Sequence, residues 1–171
     1  MPVPKKIILD TNVFLLYLIG MIAPHKIKTH KRTSIYSVED YNFLISTMNN
    51  IGSDLELIIC PNITTEVDNL LNNTFQGYYK EKYVNLSKEI YKKSVEVYIK
   101  TIEAVEQNTY YDLGITDSVI LLMAQNCDLL ISGDSKLCDY ARSMDISLLD
   151  FKGIINQHSY KSITPTQASG Y

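Results

Sequence analysis

Four carboxylates fall where a chain of alternating strands and helices would put chemistry. Asp10 follows the apolar run Ile7-Ile8-Leu9, and Glu66 lies in the first turns of a helix opened by Pro61-Asn62. Asp117 begins an apolar helical stretch, and Asp134 follows the run Leu129 to Ser132. In an open parallel α/β sheet, ligands bind beyond the carboxyl ends of the strands, so acids at those ends are functional candidates. Clustered carboxylates offer the hard oxygen ligands that magnesium and manganese prefer. Each acid alone has a simpler use. Asp117 and Asp134 suit helix caps, and Glu66 suits the positive end of a helix dipole. Asp10 is harder to explain that way, because a carboxylate against a buried strand is costly unless it is hydrogen bonded or metal bound.

The elements that must position these residues are legible in outline. A strand over Lys5 to Leu9 leads into a helix over Val13 to Ile19, capped by Asn12 or Thr11 and ended by Gly20. A loop rich in positive charge follows, with Lys26, Lys28, His30, Lys31 and Arg32. Ser37 and Asp40 form a capping box for a helix from Val38 to about Asn50. Leu55 to Cys60 reads as the second strand, with Pro61 starting the next helix. From Tyr79 to Gln107 there is no Gly or Pro, and apolar residues recur at helical spacing, which predicts one long or two shorter amphipathic helices. Thr116 is read as the cap of a helix over Asp117 to Gln125. A strand over Leu129 to Ile131, a short helix reaching Arg142, a last strand over Ile146 to Leu149 and a final turn over Phe151 to Ile155 complete the order. The expectation is one α/β domain over residues 1–155, a three-layer α/β/α arrangement around a mostly parallel sheet, with a polar tail over residues 156–171.

Composition excludes several classes. With 171 residues, 46% of them hydrophobic and 20% charged, the chain can bury a core without disulfide or metal. A net charge of −3 argues against coating nucleic acid through overall charge, though a local basic patch stays open. Cys60, Cys127 and Cys138 are odd in number and lie in or beside apolar stretches, which points to reduced buried thiols and a cytoplasmic location. The apolar run from Val13 to Ala23 is too short to span a bilayer and is read as structure, not as a targeting signal.

The segments Ile7 to Leu15, Ile63 to Val67, Leu113 to Leu121 and Leu129 to Asp134 together resemble the ordered acidic motifs of PIN-domain nucleases. The resemblance spans residues 7–134 and implies a three-layer α/β/α fold and a Mg²⁺- or Mn²⁺-dependent phosphodiesterase acting on RNA. It implies Asp10, Glu66, Asp117 and Asp134 as the metal-holding catalytic quartet, with Asn12 and Ser132 as small polar residues that orient carboxylates or phosphate. Toxin ribonucleases of this family dimerise and are held by antitoxins, so a homodimer and an antitoxin are implied partners. The interval between Asp10 and Glu66 is longer than in the smallest such toxins, and it contains the basic loop. Lys26, Lys28, Lys31 and Arg32 are candidates to contact phosphates; the other reading is a solvated loop.

Other readings remain. The chain also resembles haloacid-dehalogenase-type phosphatases at Gly133-Asp134, but those need an acid two residues after the first Asp, where this chain has Asn12. A binding module that has lost catalysis and a DNA nuclease are further alternatives. No Ser/His/Asp or Cys/His arrangement is evident, and His25, His30 and His158 read as surface residues. The thirteen tyrosines invite a base-stacking role, but Tyr83, Tyr91 and Tyr98 sit at helical spacing and read as core or interface; the pairs Tyr78-Tyr79 and Tyr110-Tyr111 stay open.

Overall fold

The apolar run at the amino terminus forms β1 (Lys6–Leu9), whose Ile7, Ile8 and Leu9 are fully buried. A computed structural model of the chain describes residues 5–161, with side chains to residue 157. The other strands are β2 (Glu56–Ile59), β3 (Val95–Glu96), β4 (Leu129–Ser132) and β5 (Leu148–Asp150). Their order is β3-β2-β1-β4-β5, and every pairing is parallel. Helices flank the sheet in an α/β/α arrangement, which explains why the central strands are continuous apolar runs: both faces are covered. The chain builds outward from β1 to β3, then returns to place β4 on β1's other side. That reversal makes a crevice at the carboxyl ends of β1 and β4.

Helices α1 (Thr11–Ile22), α2 (Val38–Ile51), α3 (Pro61–Leu71) and α4 (Gly77–Lys93) come from the first half of the chain. In the second half come α5 (Thr101–Val105), α6 (Tyr110–Ala124), α7 (Ser135–Ser143) and α8 (Phe151–Lys161). The capping box at Ser37 and Asp40 is formed with both of its hydrogen bonds. Cys60, Cys127 and Cys138 are free thiols, of which Cys60 and Cys138 are buried. Among the described residues no helix is long and apolar enough to cross a membrane.

Four expected boundaries move. Gly20 does not end α1; it lies inside the helix, where an added Cβ would stand 2.1 Å from the Tyr41 ring of α2. The glycine is there for close helix packing. Asp10, not Asn12 or Thr11, caps α1. The helical stretch from Tyr79 to Gln107 is interrupted: Ser94 leaves the helix in an extended conformation, and Val95–Glu96 pairs with Ile58 and Ile59 as the sheet's outer strand. Finally, Asn156 to Lys161 continue α8 where a tail was expected; the rest of that tail and the His158 side chain lie outside the described residues.

Candidate functional site

Asp10 is the first residue past β1, and its amide still follows the ladder, donating to the Ile131 carbonyl of β4 at 3.0 Å. Its side chain, in a residue only 2% exposed, is fixed by three donors. The Val13 amide reaches Oδ1 at 2.7 Å, while the Ser132 hydroxyl and the Gly133 amide reach Oδ2 at 2.6 and 2.8 Å. One residue therefore caps α1 and ties it to the end of β4. Burial raises the Asp10 carboxyl above its ordinary value, opposed by these hydrogen bonds and reinforced by the nearby charge of Asp134. Ser132 also accepts from the Asp134 amide at 3.1 Å. Asp134 in turn caps α7, its Oδ1 accepting from the amides of Lys136 and Leu137.

Gly133 permits this arrangement. A Cβ there would lie 1.9 Å from the Tyr36 hydroxyl, which is buried without a hydrogen-bond partner among the described residues. The opposite wall comes from α3 and α6. Glu66 of α3 accepts from the Thr11 hydroxyl at 3.1 Å and has the Arg32 guanidinium 3.8 Å away. Asp117 lies just beyond a break in α6, where Gly114 takes φ 77° and ψ −174°, a left-handed conformation suited to glycine. Thr116 is thus not a helix cap. Below the break the buried Thr109 and Ser118 hydroxyls meet at 3.1 Å and tie the two halves of α6 together.

These walls enclose a cavity of about 280 Å³ lined by Asp10, Thr11, Asn12, Arg32, Glu66 and Asp134, with Leu113, Ile115, Thr116 and Asp117 closing it from α6. All four candidate acids share it. Asp117 is the exception among them, since its carboxylate has no hydrogen-bond partner among the described residues. Burial first, and then the charges of Asp10, Asp134 and Glu66, push it up to about 7. Arg32 only partly offsets this.

Among the described residues, no three Asp, Glu, His or Cys side chains stand close enough together to hold a metal ion as they are. The donor set nevertheless suits a hard divalent cation: among the described residues neither the Asp117 carboxylate nor Asp134 Oδ2 takes a hydrogen bond. Asn12 lines the cavity without hydrogen bonding to any of the acids, whereas Ser132 bonds directly to Asp10. The basic loop divides. Arg32 lines the cavity, but Lys26 lies over the Phe75 ring, Lys28 bonds the Ser34 carbonyl and Lys31 is exposed. The loop is anchored by Ile27 and Thr33, which are completely buried, the Thr33 hydroxyl donating to the Ile27 carbonyl, while Lys28, Lys31 and Arg32 stay exposed.

Sequence reasoning read Thr11 and Thr116 only as helix caps and did not single out Tyr36. Thr11 stood beside Asp10, but its contact with Glu66 needs two helices packed together. His30 is also less superficial than expected: its Nδ1 is buried without a partner among the described residues, and burial lowers its pKa, opposed by the Leu70 backbone. Compared with family models, curated proteins and solved structures, the chain matches none.

Proposed function

We propose that the chain is a divalent-metal-dependent nuclease that hydrolyses RNA phosphodiester bonds, in the manner of the PIN-domain nucleases its motifs resemble. The observation that carries this reading is Asp117, an unpartnered carboxylate in a cavity shared with Asp10, Glu66 and Asp134. A merely structural domain has no physical need to gather carboxylates that repel one another. Asp10, Glu66, Asp117 and Asp134 would hold Mg²⁺ or Mn²⁺, which supplies Lewis acidity and an activated water for attack on phosphorus.

The chain's own groups prepare the site. Val13, Ser132 and Gly133 hold Asp10 in one orientation, and Thr11 holds Glu66. Arg32, the basic residue in the cavity wall, presents planar donors to a phosphate oxygen and offsets part of the repulsion a polyanion meets there. Leu113 and Ile115 add an apolar patch to the α6 side of an otherwise polar cavity.

The test couples a Mn²⁺ titration to cleavage of an end-labelled single-stranded RNA, with DNA of the same sequence and a phosphate monoester as alternative substrates. Wild type is expected to bind Mn²⁺ and cut the RNA, and Asp117→Asn to lose both. Absence of Mn²⁺ binding and cleavage in wild type overturns the reading in favour of a binding module. Turnover of the monoester alone favours a phosphatase. If RNA is cut, expression in cells should arrest growth as a toxin does, with relief by a co-expressed antitoxin.

A further inference from the structure

A second cavity, of about 590 Å³, opens directly beside the acidic one and shares Arg32, Glu66 and Thr116 with it. One wall is a face of α3. Asn62, Thr65, Glu66 and Asn69 follow the i, i+3, i+4, i+7 spacing of a single helix stripe, while Ile63, Val67 and Leu71 point into the core. Asn62, Thr65 and Asn69 make no side-chain hydrogen bond among the described residues, so three neutral donor-acceptor groups face the groove uncommitted. The opposite wall carries Tyr98, which is 73% exposed. Its helical spacing with Tyr91 marked it as core or interface, but β3 turns it outward, and no ring or hydroxyl partner covers it among the described residues. Its backbone is nonetheless fixed, because the preceding Val97 amide donates to the Ile59 carbonyl at 2.9 Å.

We infer that this groove binds one unpaired nucleotide next to the phosphate held in the acidic cavity, with Tyr98 stacking on its base and Asn62 and Asn69 meeting the base edge. Three features select this occupant. The groove is continuous with the carboxylate cavity through Arg32, which can bridge a phosphate between the two. Beyond Glu66, its α3 wall is uncharged and carries the side-chain amides of Asn62 and Asn69, suited to the donors and acceptors of a base edge. Its far wall is an exposed aromatic face, the platform on which single-stranded nucleic acids are recognised. A duplex keeps its base faces stacked inside and has none to offer Tyr98, so the groove selects single strands. The position of the nucleotide relative to the cut rests on the nuclease reading, but its binding does not.

The probe is a single-stranded oligoribonucleotide carrying 2-aminopurine, whose fluorescence falls on stacking, compared with the same sequence as DNA. In an Asp117→Asn background, which prevents cutting, binding should quench the fluorescence. Tyr98→Ala should weaken binding roughly ten-fold, the scale of one base–aromatic stack, and abolish the quench, while Tyr98→Phe retains both. The RNA-to-DNA ratio of affinities then assigns the sugar. In a cleaving background, Asn69→Ala should alter base preference beside the cut without changing the folded-state circular dichroism. Unchanged affinity and quench in Tyr98→Ala overturn the inference, as does failure of the Asp117→Asn protein to bind either oligonucleotide. Metal-dependent cleavage with KM and cut sites indifferent to Tyr98→Ala leaves the nuclease reading standing and the groove rejected. A Tyr98-dependent quench without cleavage by wild type does the reverse.

Discussion

At each end of the β1–β4 pair an aspartate accepts two backbone amides, Asp128 from the start of β1 and Asp10 from its own helix α1 and from Gly133 just past β4. Asp128, just before β4, accepts from Lys5 and Lys6 at 2.9 Å each, and its own amide donates to the Lys6 carbonyl. Asp10, just after β1, accepts from Val13 and Gly133, and its own amide donates to the Ile131 carbonyl. Both carboxylates accept two backbone amides, and Asp10 the Ser132 hydroxyl besides, yet the two carboxyls move in opposite directions. Backbone hydrogen bonds in water hold Asp128 below the ordinary carboxylate range, whereas burial raises Asp10. Accepting backbone amides is therefore not what marks a candidate site carboxylate. What separates the two ends is burial among like charges, present only at the carboxyl edge, where the reversal in strand order leaves a crevice.

The largest effect should come from Asp10→Ala. It leaves the Val13 and Gly133 amides and the Ser132 hydroxyl without their acceptor, and it uncaps α1. Urea denaturation should show a loss of roughly 2–4 kcal/mol, combining a lost cap with buried unpaired donors and offset by the relief of a buried charge. Any metal-dependent cleavage should fall to background. Asp10→Asn, which keeps an acceptor for Val13, should lose less stability and as much activity. Wild-type stability in Asp10→Ala would remove the idea that Asp10 locks this edge together.

Next is Asp117→Asn, which should trade activity for stability. The folded carboxyl sits near 7, above its ordinary value of 3.8, so the native state binds this proton more tightly than the unfolded chain. Wild-type stability accordingly falls as pH rises from about 4 to about 7 and stays lowered above that. Asparagine does not titrate. Without added metal, the variant should match wild type near pH 4 and exceed it by roughly 1–3 kcal/mol at pH 8, a figure discounted because the cavity is partly open to water. Thermal melts across pH test this; parallel pH profiles for the two proteins would show that Asp117 is not strained in the fold. Mn²⁺ should raise the melting temperature of wild type and leave the variant unmoved.

Two acids of the carboxyl edge were readable from sequence because they follow apolar runs. Leu9 to Asp10 and Ser132 to Asp134 carry their own positions, and the alternation of strands and helices supplies the parallel sheet. Contacts that depend on packing between distant segments were not readable. Gly20 looked like a helix end, since nothing local reveals that Tyr41 will lie over it. Thr116 looked like a helix cap, although it is the left-handed conformation of Gly114 that bends α6 and sets Asp117 into the cavity. β3 did leave a signal: Val95, Val97 and Ile99 alternate with Glu96 and Tyr98, the period of a strand. Helical spacing upstream overrode it, and with it went the exposed position of Tyr98.

Asp128 supplies the smallest effect and the sharpest control. Asp128→Asn keeps one acceptor oxygen for the Lys5 and Lys6 amides and removes only the charge that strengthens those bonds. Because the residue is exposed, its loss should be below about 1 kcal/mol by urea denaturation. The sign with pH is opposite to that of Asp117. A carboxyl held below its ordinary value stabilises the fold above about pH 4, and that contribution disappears as pH falls through the lowered value. Wild type and Asp128→Asn should therefore differ slightly at neutral pH and converge in acid, whereas wild type and Asp117→Asn converge in acid from the other side. Cleavage and Mn²⁺ binding should be untouched in Asp128→Asn, because the residue lies at the far end of the β1–β4 pair from the cavity. A matching loss of metal binding there would mean that carboxylates at either end of the sheet act through general charge, and the distinction between the two edges would fail.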